Sequence, residues 1–222
     1  APSTDTRPVV RLRPKARARA IRHGFPWVYA DELVLDRRTR ALEAGSLVRL
    51  DDAERRPLGT AALTPASRIP ARLLDPDPAA DIGLDWLAAR IETAAALRAR
   101  LYPAPFHRLV HAEADGLPGL VIDRFGAAAV VQPNTAWAER RLPQIVEALV
   151  RVTGVETVVK NGRGRARAAE GLPEETAVLR GVVDGPVPVA MNGATYMADL
   201  TGGQKTGLYY DQRDNHAFAA RL

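Results

Sequence analysis

Asp75-Pro76-Asp77-Pro78 divides this chain into two regions of different periodicity. Each proline lacks a backbone donor and restrains the residue before it, so no regular element crosses the tetrapeptide. On its N-terminal side, short apolar segments lie close together at 9–13, 33–35, 46–50, 58–63 and 69–74. Gly24-Phe25-Pro26, Gly45 and Asp51-Asp52 punctuate them. Many short strands at close spacing predict a small β-barrel over residues 1–75.

Beyond the prolines the period becomes helical. Leu84, Leu87, Ile91, Ala94 or Ala95, and Leu101 recur on one face, and Pro103 and Pro105 stop the run. Two apolar strands, 119–125 and 127–132, flank a turn at Gly126. A helix opening near Pro143 buries Ile145, Val146 and Leu149 and stops at Gly154, ahead of a strand at 155–160. The mixture predicts a compact α+β domain over residues 79–186.

Composition bounds the function. The 222 residues are 46% apolar and 26% charged, ordinary values for a globular chain. With no cysteine, the chain forms no disulfide or thiolate metal site and carries no cysteine nucleophile, which accords with a cytoplasmic location. No run approaches the roughly 18 consecutive apolar residues of a membrane span, so no membrane partner is expected. Residues 1–22 hold seven cations and one anion, whereas the rest of the chain sums to −1. A localised basic stripe is the footprint of a polyanion, or else a solvated surface. Arg11, Arg13, Lys15, Arg17, Arg22 and His23 are its candidate nucleic-acid contacts.

Several motifs admit a chemical and a structural reading. In Arg22-His23-Gly24-Phe25-Pro26-Trp27-Val28-Tyr29 the rings could stack on bases, but packing of Trp27 in a barrel core is favoured. Gly162-Arg163-Gly164-Arg165-Ala166-Arg167 reads as a flexible basic loop that grips phosphate through Arg163 and Arg165 or is merely solvated. Asp115-Gly116-Leu117-Pro118-Gly119 is a turn between strands, and Asp123-Arg124 reads most simply as an ion pair. His107 and His111 fall on a predicted strand without metal-site spacing, so no metal is expected. The polar density of residues 204–215 reads as a ligand-facing loop leading into a helix.

Three motifs in order, at 22–29, 115–124 and 204–215, carry a resemblance. They are Arg-His-Gly-x-Pro-Trp-Val-Tyr, Asp-Gly-Leu-Pro-Gly-Leu-Val-Ile-Asp-Arg and Gln-Lys-Thr-Gly-x-Tyr-x-Asp-Gln-Arg-Asp-Asn. Together they resemble the bacterial large-subunit rRNA methyltransferases of the S-adenosylmethionine-dependent 5-methylcytosine type. The resemblance implies a mixed fold: an N-terminal PUA-like barrel for RNA, a small central α+β domain, and a Rossmann-like class I methyltransferase domain. It implies that residues 187–222 hold only the start of that third domain, a hairpin at 188–200 and a helix near Gln212. The remainder, with the catalytic cysteine, is expected downstream of Leu222. By that implication the chain alone is inactive.

Further implications are ribosomal RNA as partner, S-adenosylmethionine as cofactor, and a cofactor- or base-pocket formed by Gln204, Lys205, Thr206, Tyr209, Asp211, Gln212, Arg213 and Asn215. His216 departs from the arginine common in the family. A truncated chain would leave Leu208 and Phe218 without partners, so the last thirty or so residues are expected to be docked on a neighbour, as in a homodimer, or poorly ordered. Two other readings stand beside the first: a non-catalytic RNA-binding protein, and a methyltransferase for another rRNA base.

Overall fold

The computed structural model describes residues 7–203 and 206–222. Its first unit contains β1 (Val9–Arg11), α1 (Ala18–Arg22), β2 (Trp27–Val28), α2 (Arg37–Arg40), β3 (Ser46–Asp51), β4 (Pro57–Leu63) and β5 (Ala71–Asp75). The strands join in the order β1-β3-β4-β5-β2, with β1 parallel to β3 and the other pairs antiparallel. Residues 33–35, expected as a strand, contribute only an isolated bridge between Leu12 and Leu33. Val10, Leu12, Ile21, Val28, Leu33, Val48, Leu50 and Leu63 fill the barrel.

Past the prolines come α3 (Leu84–Leu101), β6 (Phe106–His111), a 3₁₀ turn at Ala112–Asp115, β7 (Leu120–Phe125), β8 (Ala128–Pro133), α4 (Ala136–Arg140), α5 (Leu142–Thr153), β9 (Thr157–Asn161), α6 (Arg165–Ala169) and β10 (Thr176–Arg180). Their sheet runs β10-β9-β8-β7-β6, antiparallel except for the parallel β8–β9 pair, which α4 and α5 connect. The helices lie on one face. Leu87, Ile91, Leu109, Ile122, Val131, Ile145, Leu149 and Val158 form that core.

The opposite face is covered too, by β11 (Val187–Met191), β12 (Ala194–Ala198) and the chain beyond, ending in α7 (Arg213–Ala219). Val189, Met191, Ala198 and Leu200 pack there on Phe125, Ala128, Val130 and Val159. Successive strand side chains alternate between faces, so Val158 joins the helical core while Val159 joins the hairpin core. A strand buried on both faces reads as an unbroken apolar run, as Ala128 to Val131 do.

This layer corrects the expectation for the C-terminus. Leu208 and Tyr210 pack on the same chain's central sheet instead of on a neighbour, although Phe218 stays 65% exposed and Leu222 stays 96% exposed. The barrel and central unit also meet closely. Gly45 has φ +83, and a Cβ there would lie 2.7 Å from the backbone of Ala136. Glu170, which caps the end of α6, accepts from Ser67 at 2.9 Å and Arg72 at 2.8 Å, both from the barrel.

Candidate functional site: the docked C-terminal segment and the basic barrel face

The edge strand β6 organises the first candidate site. Its register sets Arg108 opposite Asp123 of β7, and a bulge follows between Arg108 and Val110. Asp123 is fully buried and accepts Arg108 Nε at 2.8 Å and Nη2 at 3.0 Å. The ion pair expected between Asp123 and Arg124 does not form, because adjacent strand residues point to opposite faces. Arg124 donates instead to the carbonyls of Gly126 and Thr153. Thr206, itself buried, donates through Oγ1 to Asp123 Oδ2 at 2.5 Å. Asp123 thus joins the second and third sequence motifs.

Tyr210 donates from its hydroxyl to Arg124 O at 2.7 Å and packs on Phe125 with ring centroids 5.2 Å apart. Burial pushes its phenol well above the ordinary range. Arg213 donates to the backbone carbonyl of Phe106 and lies over Tyr102 at 4.7 Å and Tyr210 at 5.9 Å. Tyr102 also stacks on His107 at 5.3 Å, and burial lowers the pKa of that imidazole. Asp211 stays exposed, Tyr209 and Gln212 are half-buried, and Asn215 donates to Gln212 at 2.8 Å. Gln204 and Lys205 lie outside the described residues.

Tyr102, His107, Arg108, His111, Tyr210, Asp211 and Arg213 line a cavity of about 170 Å³. It offers a positive guanidinium on an aromatic bed, suited to an anion or a flat polar group. His107, Arg108 and Asp123 had no sequence signal as pocket or hub residues, because the β6–β7 register brings them to residues 206–213, and Tyr102 joins them from the end of α3. The cavity is smaller than the roughly 300 Å³ at which pockets for drug-sized ligands begin. These residues therefore do not by themselves enclose S-adenosylmethionine. Leu222 lies outside this lining and is exposed. Among the described residues no cluster of His, Asp or Glu is placed to hold a metal ion.

The basic residues divide into two groups. Arg17 pairs with Glu32 at 2.7 Å and covers Phe25 and Tyr29, while Arg22 pairs with the buried Asp52 at 3.0 Å. The Arg17 hydrogen bond holds the Glu32 carboxyl down to about 2. Arg13 donates to Leu33 O at 3.0 Å. Arg11, Lys15, His23, Arg163 and Arg165 make no side-chain hydrogen bond or ion pair among the described residues.

Two readings need correction. Residues 165–169 form α6, not a flexible loop, and Arg167 is fully buried, bonded to Glu139 at 2.8 Å and to the carbonyls of Pro133 and Pro173. Trp27 is not a core residue of the barrel. It is half-buried, edge-on to Phe25 and Tyr29, and its Nε1 donates across the domain boundary to Glu113 at 2.8 Å.

Residues 10–76 match the PUA-like domain family, so the first unit is a PUA-like barrel within a mixed α/β chain. Two solved structures share the overall fold. One, described as a SAM-dependent methyltransferase from Streptococcus mutans, has a TM-score of 0.77 at 17% identity, covering 95% of this chain and 53% of its own. The other, a methyltransferase complexed with SAH, has a TM-score of 0.76 at 18% identity, covering 95% and 52%.

By sequence the chain is similar to proteins named ribosomal RNA large subunit methyltransferase I. The one from Alteromonas mediterranea is 36% identical over 208 residues, 92% of this chain and 52% of that protein. Those from Shewanella frigidimarina and Cronobacter sakazakii are 34% and 32% identical, covering 96% and 93% of this chain and 54% and 52% of their own lengths. The chain spans about half the length of the curated relatives it matches.

Proposed function

We propose that this chain is the RNA-holding part of an S-adenosylmethionine-dependent methyltransferase of large-subunit ribosomal RNA, with C5 of a cytosine as the methyl acceptor. The observation that carries the reading is the 36% identity to a ribosomal RNA large subunit methyltransferase I over 92% of the chain. The likeness to a methyltransferase complexed with SAH supports the choice of cofactor. Residues 187–222 are, in this reading, the beginning of a Rossmann-like domain. Gln204, Lys205, Thr206, Tyr209, Asp211, Gln212, Arg213 and Asn215 border its cofactor and base pocket as one wall.

The residues act by holding RNA. Lys15, His23 and Arg11 on the barrel, with Arg163 and Arg165 beside α6, neutralise phosphate, because none is engaged by a carboxylate among the described residues. Arg13, Arg17 and Arg22 shape that surface through their partners and contribute less charge. A target base must be unstacked or single-stranded to meet a pocket wall. The 222 residues contain no cysteine, so they supply no covalent nucleophile to C6, and in this reading that residue lies beyond Leu222. In this reading the location is cytoplasmic and the assembly a homodimer.

Transfer of tritium from labelled S-adenosylmethionine to protein-free large-subunit rRNA tests the reading, with bisulfite sequencing to locate the base. A protein of the relatives' full length should label a cytosine, and the 222-residue chain should bind the RNA without labelling it. Label on a guanine would move the reading to another base, and absence of RNA binding would sink it. Sedimentation at micromolar concentration tests the dimer. A non-catalytic RNA-binding role is favoured by one observation: Thr206, Tyr210 and Arg213 point inward as struts. RNA binding with no transfer by the full-length protein would establish that alternative.

A further inference from the structure

We infer that a groove on the barrel, formed by β1, α2 and the β3–β4 turn, grips the phosphodiester backbone of RNA. The inference rests on the RNA-binding reading and adds a site to it. The groove has a volume of about 430 Å³ and is lined by Arg11, Asp36, Arg38, Arg49, Asp51 and Arg55 together with Val9, Val10, Val34 and Thr39. Its two carboxylates are committed. Asp51 binds Arg49 through two contacts of 3.0 Å, and Asp36 caps α2 by accepting from Thr39 N at 2.7 Å. The side chains of Arg11, Arg38 and Arg55 make no hydrogen bond or ion pair among the described residues, and although Arg38 acts on Asp36 through its charge, four guanidinium groups face two carboxylates in one concavity.

Arg55 is held in place by its turn. Its φ is +64, a left-handed conformation disfavoured for a residue with a side chain. The buried Asp52 imposes it. One carboxylate oxygen accepts from Glu54 N at 3.0 Å and Arg56 N at 2.9 Å, the other from Arg56 Nε at 2.8 Å and Arg22 Nη2 at 3.0 Å. Arg55 N itself donates to Asp52 O at 3.1 Å. A strained residue whose turn is fixed by four bonds to one carboxylate, and which lines a basic groove, is a preorganised contact. Guanidinium forks match phosphate oxygens in pairs. The lining contains no aromatic ring on which a base could stack, which favours a backbone over a free nucleotide.

The test is the double variant Arg38→Gln/Arg55→Gln, both exposed positions, against an equal charge loss on the central unit, Arg100→Gln/Arg180→Gln. Anisotropy of a fluorescent single-stranded RNA long enough to span the barrel is titrated at several KCl concentrations, and inorganic pyrophosphate is titrated in parallel. Losing two phosphate contacts should flatten the plot of log affinity against log salt by about 1.4, at about 0.7 per contact. The control pair should leave the slope unchanged, and matching melting temperatures verify the folds. Equal slopes for groove and control variants would overturn the site while leaving RNA binding intact. Loss of pyrophosphate binding with an unchanged RNA slope would make it a small-anion site and also overturn it. If the unmodified chain bound no RNA, both this inference and the reading beneath it would fail.

Discussion

The arginines that anchor segments do so in opposite ways at the two ends of this chain. In the barrel, Arg17 and Arg22 meet carboxylates, Glu32 and the buried Asp52, so each positive charge is offset where it stands. In the C-terminal segment, Arg213 is satisfied by a backbone carbonyl and two tyrosine rings, none of which carries a formal charge. Both arrangements anchor a segment. Only the second leaves the positive charge free to act on an incoming anion, because a carbonyl and a π face orient a guanidinium without neutralising it. A basic residue's pairing partner therefore says more about its availability to RNA than its exposure does.

The strongest way to break the contrast is at the hub that ties the C-terminal segment down. Asp123→Ala leaves the buried Thr206 and the part-exposed Arg108 without their carboxylate, and should cost about 2–3 kcal/mol by urea denaturation. An unchanged midpoint would show that the segment docks without it.

Glu32→Gln should cost about 1–2 kcal/mol at pH 7, discounted because Arg17 is 45% exposed. The sign follows from the Glu32 carboxyl lying at about 2, against an ordinary 4.5. A depressed carboxylate contributes fully above 4.5 and loses its contribution as pH falls toward 2. The gap between wild type and variant should thus close on acidification across that window. A gap that stayed constant on acidification from neutral pH to about 2 would contradict the pairing.

Arg213→Ala should remove about 1–2 kcal/mol of local docking. Hydrogen exchange should quicken roughly tenfold in residues 206–219 and stay unchanged in the barrel. Faster exchange in both would mean that the segment supports the whole fold. The smallest effect is expected for Trp27→Phe, about 0.5–1.5 kcal/mol for one hydrogen bond to Glu113. Double-mutant cycles with Glu113→Ala, which removes the acceptor, would measure the coupling, and a coupling of zero would remove Trp27 as a joint between domains.

Local periodicity made the large elements legible. The stripe from Leu84 to Ala95 and the segments around β3, β4, β7, β8 and α5 were evident from spacing, glycine and proline, although Leu101, expected on that stripe, stands 61% exposed at the helix end. What spacing could not supply was which residue faces which. Asp123 and Arg124 are neighbours in sequence, yet the pleat sends them apart and register hands Asp123 to Arg108. Arg163, Arg165 and Arg167 look equivalent in a glycine-rich run, but one turn of helix buries the third against Glu139. Of the candidate pocket, Thr206 and Arg213 were visible as polar residues in an unusual cluster. Their inward contacts were not, since they depend on strands far earlier in the chain.

The two-sided burial of the central sheet has a consequence for the chain as it is made. Its helical face is complete once β9 emerges, but the other face waits for Val189 to Leu200. For about 40 residues of synthesis, roughly 2–8 s at 5–20 residues per second, Phe125, Val130 and Val159 have no cover. A nascent chain paused in that interval presents a bare apolar sheet, and chaperone capture should peak there and fall once β12 has left the ribosome.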